Sequence, residues 1–398
     1  MFENIIGQSS IIQSLRVQIE EGCLPSALLF YGPSFSAKLS SALEAARVLT
    51  CEEGRGEWDC ACAACRTQRV LTYPNLLMLG PRYFDIEIAA CADVLRRTGK
   101  TAARYLFIRA VRKLTRRFDP VIWEGEETRL RRAAPTIAEI EERLDLFSPE
   151  RESGNPAGLE DQLAKIVTLS RKLSTNISAE NIPISHIRRA AYWMHMSPGT
   201  GGARKIVILE NVDRMHDPSS NSLLKMLEEP PADVTLILLA TRREGILPTV
   251  QSRLRPYYFA RRPAAETAEV LQRIFHEDDP RFNSLNDYFL SWRETNLDQL
   301  KSLARRFVEA VLEEEDEENI LAELNDHLTG KQARDFLDSF FHELSGVFHT
   351  LLRRGLIRPQ RLAEWNRALR SHFDGFSRFN QNPQLALESL YYHLRTRQ

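Results

Sequence analysis

The chain has 398 residues, 43% of them hydrophobic, with 53 lysines and arginines against 54 aspartates and glutamates for a formal net charge of −1. This balance supports two or three domains with substantial cores and excludes a globally basic nucleic-acid binder, so any phosphate contact has to come from a local patch. No apolar run reaches transmembrane length and the start, MFENIIGQSSIIQSL, is short on positive charge, so a cytoplasmic protein with no membrane association is expected.

The first predicted strand, residues 26–31 (SALLFY), opens at Gly32 into a loop, and a helix follows through Leu39, Leu43 and Ala46. Strand, glycine and helix in that order are the setting of a phosphate-binding P-loop, GxxxxGK[ST]. Its second glycine lets backbone N–H groups wrap the phosphates, and its hydroxyl holds magnesium. Here the residues are Gly32-Pro33-Ser34-Phe35-Ser36-Ala37-Lys38-Leu39, so Lys38 is kept while Ala37 and Leu39 replace the glycine and the hydroxyl residue. Alanine resists the positive φ of the second glycine and leucine ligates no metal, so ATP binding by this chain is not expected.

Of the six cysteines, Cys51, Cys60, Cys62 and Cys65 follow directly as C-x8-C-x-C-x2-C, with the small residues Ala61, Ala63 and Ala64 among them. Four thiolates in so short a span suit a tetrahedral structural Zn2+ site better than a disulfide framework. Cys23 and Cys91 stand alone and are expected to be packed.

Residues 84–180 read as helical. Phe107, Val111, Leu114 and Phe118 fall on one stripe, and Arg109, Arg112, Lys113 and Arg116 lie opposite. A second helix carries Ile137, Ile140, Leu144 and Phe147 with the acids Glu139, Glu141, Glu142 and Asp145, and a third covers residues 163–173 beyond the Gly/Pro-containing segment 152–158. The first two are expected to pair as a hairpin whose basic face is solvated or neutralised; a phosphate contact is the alternative.

The richest segment is 206–255. An apolar strand, 206–209, ends on Glu210, a helix runs through Leu223, Leu224, Met226 and Leu227 to a stop at Pro230 and Pro231, and a second apolar strand covers 234–240. That strand ends at Thr241, and residues 249–253 lead to Arg253 just before a short strand at 257–259. Residues 263–275 suit a small helical lid, everything after about 296 reads as helical, and the acidic run 313–318 reads as a solvated helix end or loop. In the last helix, Leu385, Leu387, Leu390, Tyr391 and Leu394 are expected to be buried.

The wording NSLLKMLEEPP, then LAT, then TVQSR resembles the bacterial replicative clamp loaders, an AAA+ family, and the IPISHIRRA segment and the last helix resemble the same chains. The resemblance implies an α/β fold: an AAA+ P-loop-type parallel sheet domain over 1–258 with a zinc module at 51–65 and a helical insertion at about 84–180. A helical lid at 259–300 and an all-α collar at 301–398, through which five subunits form a ring, would follow. It also implies that Glu210 and Asn211 stand where hydrolysing members carry an Asp-Glu pair, so the base is missing. Arg253 becomes an arginine finger acting in trans on a neighbour's ATP, a role that the planar guanidinium suits. A disabled ATP site beside a retained finger resembles the delta-prime class of these subunits more than the gamma/tau motors. The implied partners are gamma/tau and delta subunits in a pentameric ring of the DNA polymerase III holoenzyme, the sliding clamp, and primer-template DNA through the assembly. An active gamma/tau-type ATPase and a zinc-dependent nucleic-acid adaptor working without a ring stay open as alternatives.

Overall fold

The computed structural model describes residues 1–151, 156–177, 182–196, 204–280, 282, 284–292, 297–313, 317–328, 333–379 and 381–395. The chain divides into two compact units, residues 1–289 and 290–398, and the division falls inside the segment expected as the lid.

The first unit is built on five parallel strands, β1 (Ala27–Tyr31), β2 (Leu76–Leu79), β3 (Lys205–Leu209), β4 (Val234–Ala240) and β5 (Arg255–Tyr258), in the order β2-β3-β4-β1-β5. β3 and β4 are buried at every position, as unbroken apolar runs covered on both faces have to be. Leu209 pairs with Leu79 on one side and Leu238 on the other, which brings Gly80, Glu210 and Thr241 out along one carboxyl edge. Gly32 leaves β1 on the same edge. Two glycines make the exits possible. A Cβ on Gly32 (φ +142) would stand 2.0 Å from the Phe259 carbonyl oxygen, and one on Gly80 (φ +109) 2.4 Å from that of Glu210.

The helices of this unit are α1 (Ser9–Glu20), α2 (Lys38–Leu49), α3 (Ala63–Arg69), α4 (Phe84–Thr98), α5 (Thr101–Thr115), α6 (Glu127–Leu144), α7 (Pro156–Ser174), α8 (Ile184–His195), α9 (Asp217–Glu228), α10 (Pro248–Gln251), α11 (Ala264–Val270) and α12 (Leu285–Leu290). α8 is fixed to the sheet by a buried lysine. Lys205, the first residue of β3, donates to the carbonyls of Trp193 (2.7 Å) and Met194 (3.3 Å), where the helix dipole places negative charge.

Within 84–180 the pairing differs from the expected hairpin. α4, which the stripe analysis passed over, packs on both α5 and α7, and α6 lies mainly on α7. The basic face of α5 is not solvated. Arg109 donates to the Arg69 carbonyl (3.2 Å), Arg112 to that of Val70 (3.1 Å) and Arg116 to that of Leu71 (3.0 Å) and to Tyr73. These carbonyls lie at and just beyond the end of α3, so three guanidiniums cap its C-terminus. Arg112 also meets Glu141 (2.9 Å) and Lys113 meets Glu87 (2.5 Å), so neutralisation inside the chain is what occurs.

The second unit is all-helical: α13 (Leu297–Glu313), α14 (Glu317–His327), α15 (Ala333–Arg353), α16 (Pro359–Phe379) and α17 (Pro383–Arg395). Part of the acidic run 313–318 lies outside the described residues. Phe307 meets Phe340 and Tyr391 edge-on, and the Tyr391 hydroxyl donates to the Ala310 carbonyl at 3.2 Å. In α17 Leu387, Leu390, Tyr391 and Leu394 are buried as expected, but Leu385 is 63% exposed and Ala386 faces inward instead. The inward set recurs at helical spacing, and Leu385, two residues before Leu387, falls about 200° away from it around the helix. Leu387→Ala is therefore expected to cost roughly 2–5 kcal/mol and Leu385→Ala under about 0.5 kcal/mol in urea unfolding. Equal losses would contradict this packing.

A candidate nucleotide site closed by its own side chains

The loop after β1 keeps the backbone of a phosphate cradle. Ala37 adopts φ 71 and ψ 13, the left-handed geometry that alanine was expected to resist, at a cost of about 1–2 kcal/mol that the packing around it offsets. What has changed is the content of the cradle. Lys38 Nζ turns back into the loop and donates to the carbonyls of Gly32 and Pro33, both at 2.5 Å, and to Ser36 Oγ at 3.3 Å. Burial draws its ammonium down to about 8, with Arg82 adding to the drop while Asp213 and Glu210 pull the other way. Leu39, where a magnesium-binding hydroxyl would stand, is buried in the hydrophobic core. At the loop's tip Phe35 stacks on Phe289, ring centroids 5.3 Å apart.

The acidic position is occupied as firmly. Glu210 is 4% exposed, and its carboxylate is held by two arginines, Arg82 Nη1 on Oε2 at 2.9 Å and Arg117 Nη2 on Oε1. Arg82 comes from the exit of β2 and Arg117 from the 3-10 turn Arg116–Phe118 that ends α5. Arg82 Nε also reaches Glu87 (2.7 Å), which accepts from Lys113, so two carboxylates and three cations form one partly buried chain. Burial would raise the Glu87 carboxyl, but Arg82 and Lys113 outweigh it and hold the group down to about 2. The same pair of carboxylates pushes the Arg82 guanidinium up against the opposing effect of burial. A carboxylate engaged by two guanidiniums offers no free edge to a hydrated magnesium ion. Asn211 sits at φ 57 and donates to the Pro81 carbonyl at 2.8 Å, so its amide braces the β2 exit. Asp213, next along, accepts from the backbone N–H groups of Thr241 (3.1 Å) and Arg242 (3.2 Å).

Sequence reasoning identified Gly32, Ala37, Lys38, Leu39, Glu210 and Asn211, and the fold brings them to one edge of the sheet. It missed Arg82, Glu87 and Arg117, and it placed Lys113 on a basic face expected to be solvated or neutralised, without its partner Glu87. The hint available was that basic residues recur through α5 opposite an already apolar stripe, in a helix with neighbours on several sides.

Arg253 lies apart from this edge. Its side chain is 36% exposed, donates to the Thr249 carbonyl (2.8 Å) and pairs with Glu228 (3.1 Å), the last residue of α9. The four cysteines do come together: Cys51, Cys60, Cys62 and Cys65 hold their sulfurs within 4.8 Å of one another, a metal-ligating group among the described residues. Cys51 and Cys60 Sγ are 3.7 Å apart, close to the ~3.8 Å edge of a sulfur tetrahedron around zinc at about 2.3 Å. The Cys65 N–H donates to Cys62 Sγ at 3.4 Å, and the buried Arg47, paired with Glu44 at 2.5 Å, reaches Cys65 Sγ at 3.6 Å. These residues fit a tetra-thiolate metal site and its charge-balancing neighbours. Cys91 is buried, but Cys23 is exposed in the turn after α1, against expectation.

Fold and site together define an AAA+-type α/β unit followed by an all-helical unit. The family model described as DNA polymerase III, delta subunit, matches residues 7–117 and 152–263, more than half of the chain. The chain belongs to this family, and it is a delta-prime-like member of the clamp-loader group. The match runs through 84–117 and 152–180, so only 118–151 of the supposed insertion falls outside it. The DNA polymerase III subunit delta' of Pseudomonas aeruginosa is 36% identical over 77 residues, 19% of this chain and 24% of that one. The delta' subunit of Escherichia coli is 36% identical over 72 residues (18% and 22%), and the gamma/tau subunit of Mycobacterium bovis 31% over 74 (19% and 13%). These alignments span a quarter or less of the relatives' lengths. A solved gamma subunit-related protein of Thermotoga maritima aligns over 56% of this chain and 81% of its own at 21% identity, with a TM-score of 0.29.

Two outcomes test the closed site. Between about 8 and 10.5 the unfolded chain keeps a lysine proton that folded Lys38 has released, so this residue's contribution to stability rises with pH across that window. The difference in unfolding free energy between the wild type and Lys38→Met should show that rise, and a flat difference would contradict the buried position. Arg117→Ala should cost about 3–5 kcal/mol by leaving Glu210 half-compensated. The Arg117→Met, Glu210→Met pair should recover much of that loss.

Proposed function

We propose that this chain is a delta-prime-type subunit of a clamp loader that does not turn over ATP itself and donates Arg253 to the ATP site of a neighbouring subunit. The observation that carries the reading is the contrast between two arginine environments. Arg82 and Arg117 are spent on Glu210 inside the chain, whereas Arg253 stands at the surface in the turn just after the short helix α10, held by an exposed carboxylate and a carbonyl. The Glu228 pair is solvent-screened and worth about 0–1 kcal/mol, little against a phosphate able to take the guanidinium bidentately. Family membership and the delta' and gamma/tau relatives support placing the chain in a DNA polymerase III assembly of the cytoplasm. Its partners there are gamma/tau and delta subunits in a five-membered ring, the sliding clamp, and primer-template DNA. The collar role falls to residues 301–398.

In this reading the work of the residues is positional. α9 and α10 present Arg253, and the donated positive charge stabilises the transferring phosphoryl group next door. A zinc ion held by Cys51, Cys60, Cys62 and Cys65 would supply structural cross-linking only, tying the end of α2 to α3.

Arg253→Ala should leave folding and ring assembly intact and lower ATP turnover of the reconstituted complex by ~10³ or more. Unchanged turnover would remove the finger. For the metal, elemental analysis of the purified chain should find one zinc per molecule in the wild type and little in Cys65→Ser, with a lower thermal midpoint in the variant. A metal-free wild type of full stability would overturn the zinc assignment.

A further inference from the structure

Beside the closed nucleotide site, and separated from it by Arg117, lies a cavity of about 250 Å³ between the turn after α5, the end of the α7 region and the start of α8. Its walls include Arg117, Trp123, Arg129, Asn176, Pro183 and His186. We propose that it binds a small phosphate-type oxyanion.

Four observations converge on it. Arg117 is 3% exposed, and its guanidinium is only partly used. Nη2 serves Glu210 and Nε the Gly80 carbonyl at 3.0 Å, while Nη1 is buried with no hydrogen-bond partner among the described residues. His186 Nε2, also lining the cavity, is likewise buried with no hydrogen-bond partner among the described residues; the Glu126 carboxylate stands 4.0 Å away, beyond hydrogen-bond reach. Such groups cost about 1–3 kcal/mol each when left unsatisfied, so a ligand that serves both is favoured. Pro183, the N-cap of the twelve-residue helix α8, lines the same cavity and gives the helix no side-chain cap, so the positive end of the helix dipole lies at the cavity wall. Finally, the partly buried ion cluster that includes Arg117 is unbalanced, with Arg82, Lys113 and Arg117 against Glu87 and Glu210.

Glu126 is an acidic group near the cavity, 4.0 Å from His186 Nε2. It is engaged by Arg129 at 3.0 Å and by the Ser185 hydroxyl at 3.3 Å, which limits its repulsion of an anion inside. The volume admits a tetrahedral oxyanion with a compact substituent against the Trp123 ring, which is itself fixed by stacking on Phe118 and by Nε1 donation to the Arg117 carbonyl at 2.7 Å. It falls short of the roughly 300–1,000 Å³ of pockets that hold drug-sized ligands, which points to phosphate and not to a whole nucleotide.

The test is calorimetric titration of the full chain with inorganic phosphate and, separately, with succinate, at constant ionic strength. Saturable one-to-one phosphate binding is expected, weakened at least tenfold in His186→Leu and unchanged in Arg253→Ala. Because His186→Leu perturbs packing against Trp123, hydrogen exchange of the wild type provides a second readout. Phosphate should slow exchange in peptides covering 182–187 and 117–123 at the same midpoint. No saturable binding, protection elsewhere, or succinate binding in place of phosphate would overturn the assignment.

Discussion

The arrangement of the first unit depends on how one buried carboxylate is neutralised. Glu210 leaves the central region of a parallel sheet where water is scarce, and a lone carboxylate there would be several kcal/mol too costly. Arg82 and Arg117 solve this together, one from the end of the neighbouring strand and one from the end of a helix that starts at residue 101. The solution fixes more than charge. It sets where α5 ends, draws Gly80 close to Glu210 and, through Glu87 and Lys113, joins α4 to α5. It also engages an acidic group at this edge that would otherwise have been available to hold a magnesium ion.

The loop after β1 tells a matching story by different means. Its backbone still takes the left-handed turn at residue 37 and still leads into a helix, so the scaffold of a phosphate site persists. Lys38, whose ammonium in a working loop would meet phosphate oxygens, meets the loop's own carbonyls instead. Side chains of the chain itself occupy the loop, beyond the loss of motif letters. A single restored glycine or hydroxyl leaves both the lysine and the arginine clamp where they are.

Legibility in the sequence followed the range of the forces involved. The strands at 206–209 and 234–240 and the helix between them announced themselves by apolar run length and helical spacing, because burial of contiguous residues is a local signal. The cysteine cluster was legible for the same reason, with all four thiols inside fifteen residues. The clamp was not, since Arg82 and Arg117 stand 128 and 93 residues from Glu210 and no spacing rule links them. The basic face of α5 was legible as one that is solvated or neutralised, and its neutralising acids Glu141 and Glu87 lie outside the helix itself. Only the fold reveals that the carbonyls after α3 stand against that face. Leu385 is the opposite case, a local error in which residue type outweighed the helical period.

The central claim is that this chain's own residues, and not merely its missing motif letters, keep nucleotide out. The direct measurement is equilibrium binding of magnesium-ATP to the isolated chain carrying Ala37→Gly, Leu39→Thr and Asn211→Glu, which rewrites the letters and leaves the clamp. Binding should stay undetectable in this variant and in the wild type. Tight, magnesium-dependent binding by the rewritten chain would contradict the account.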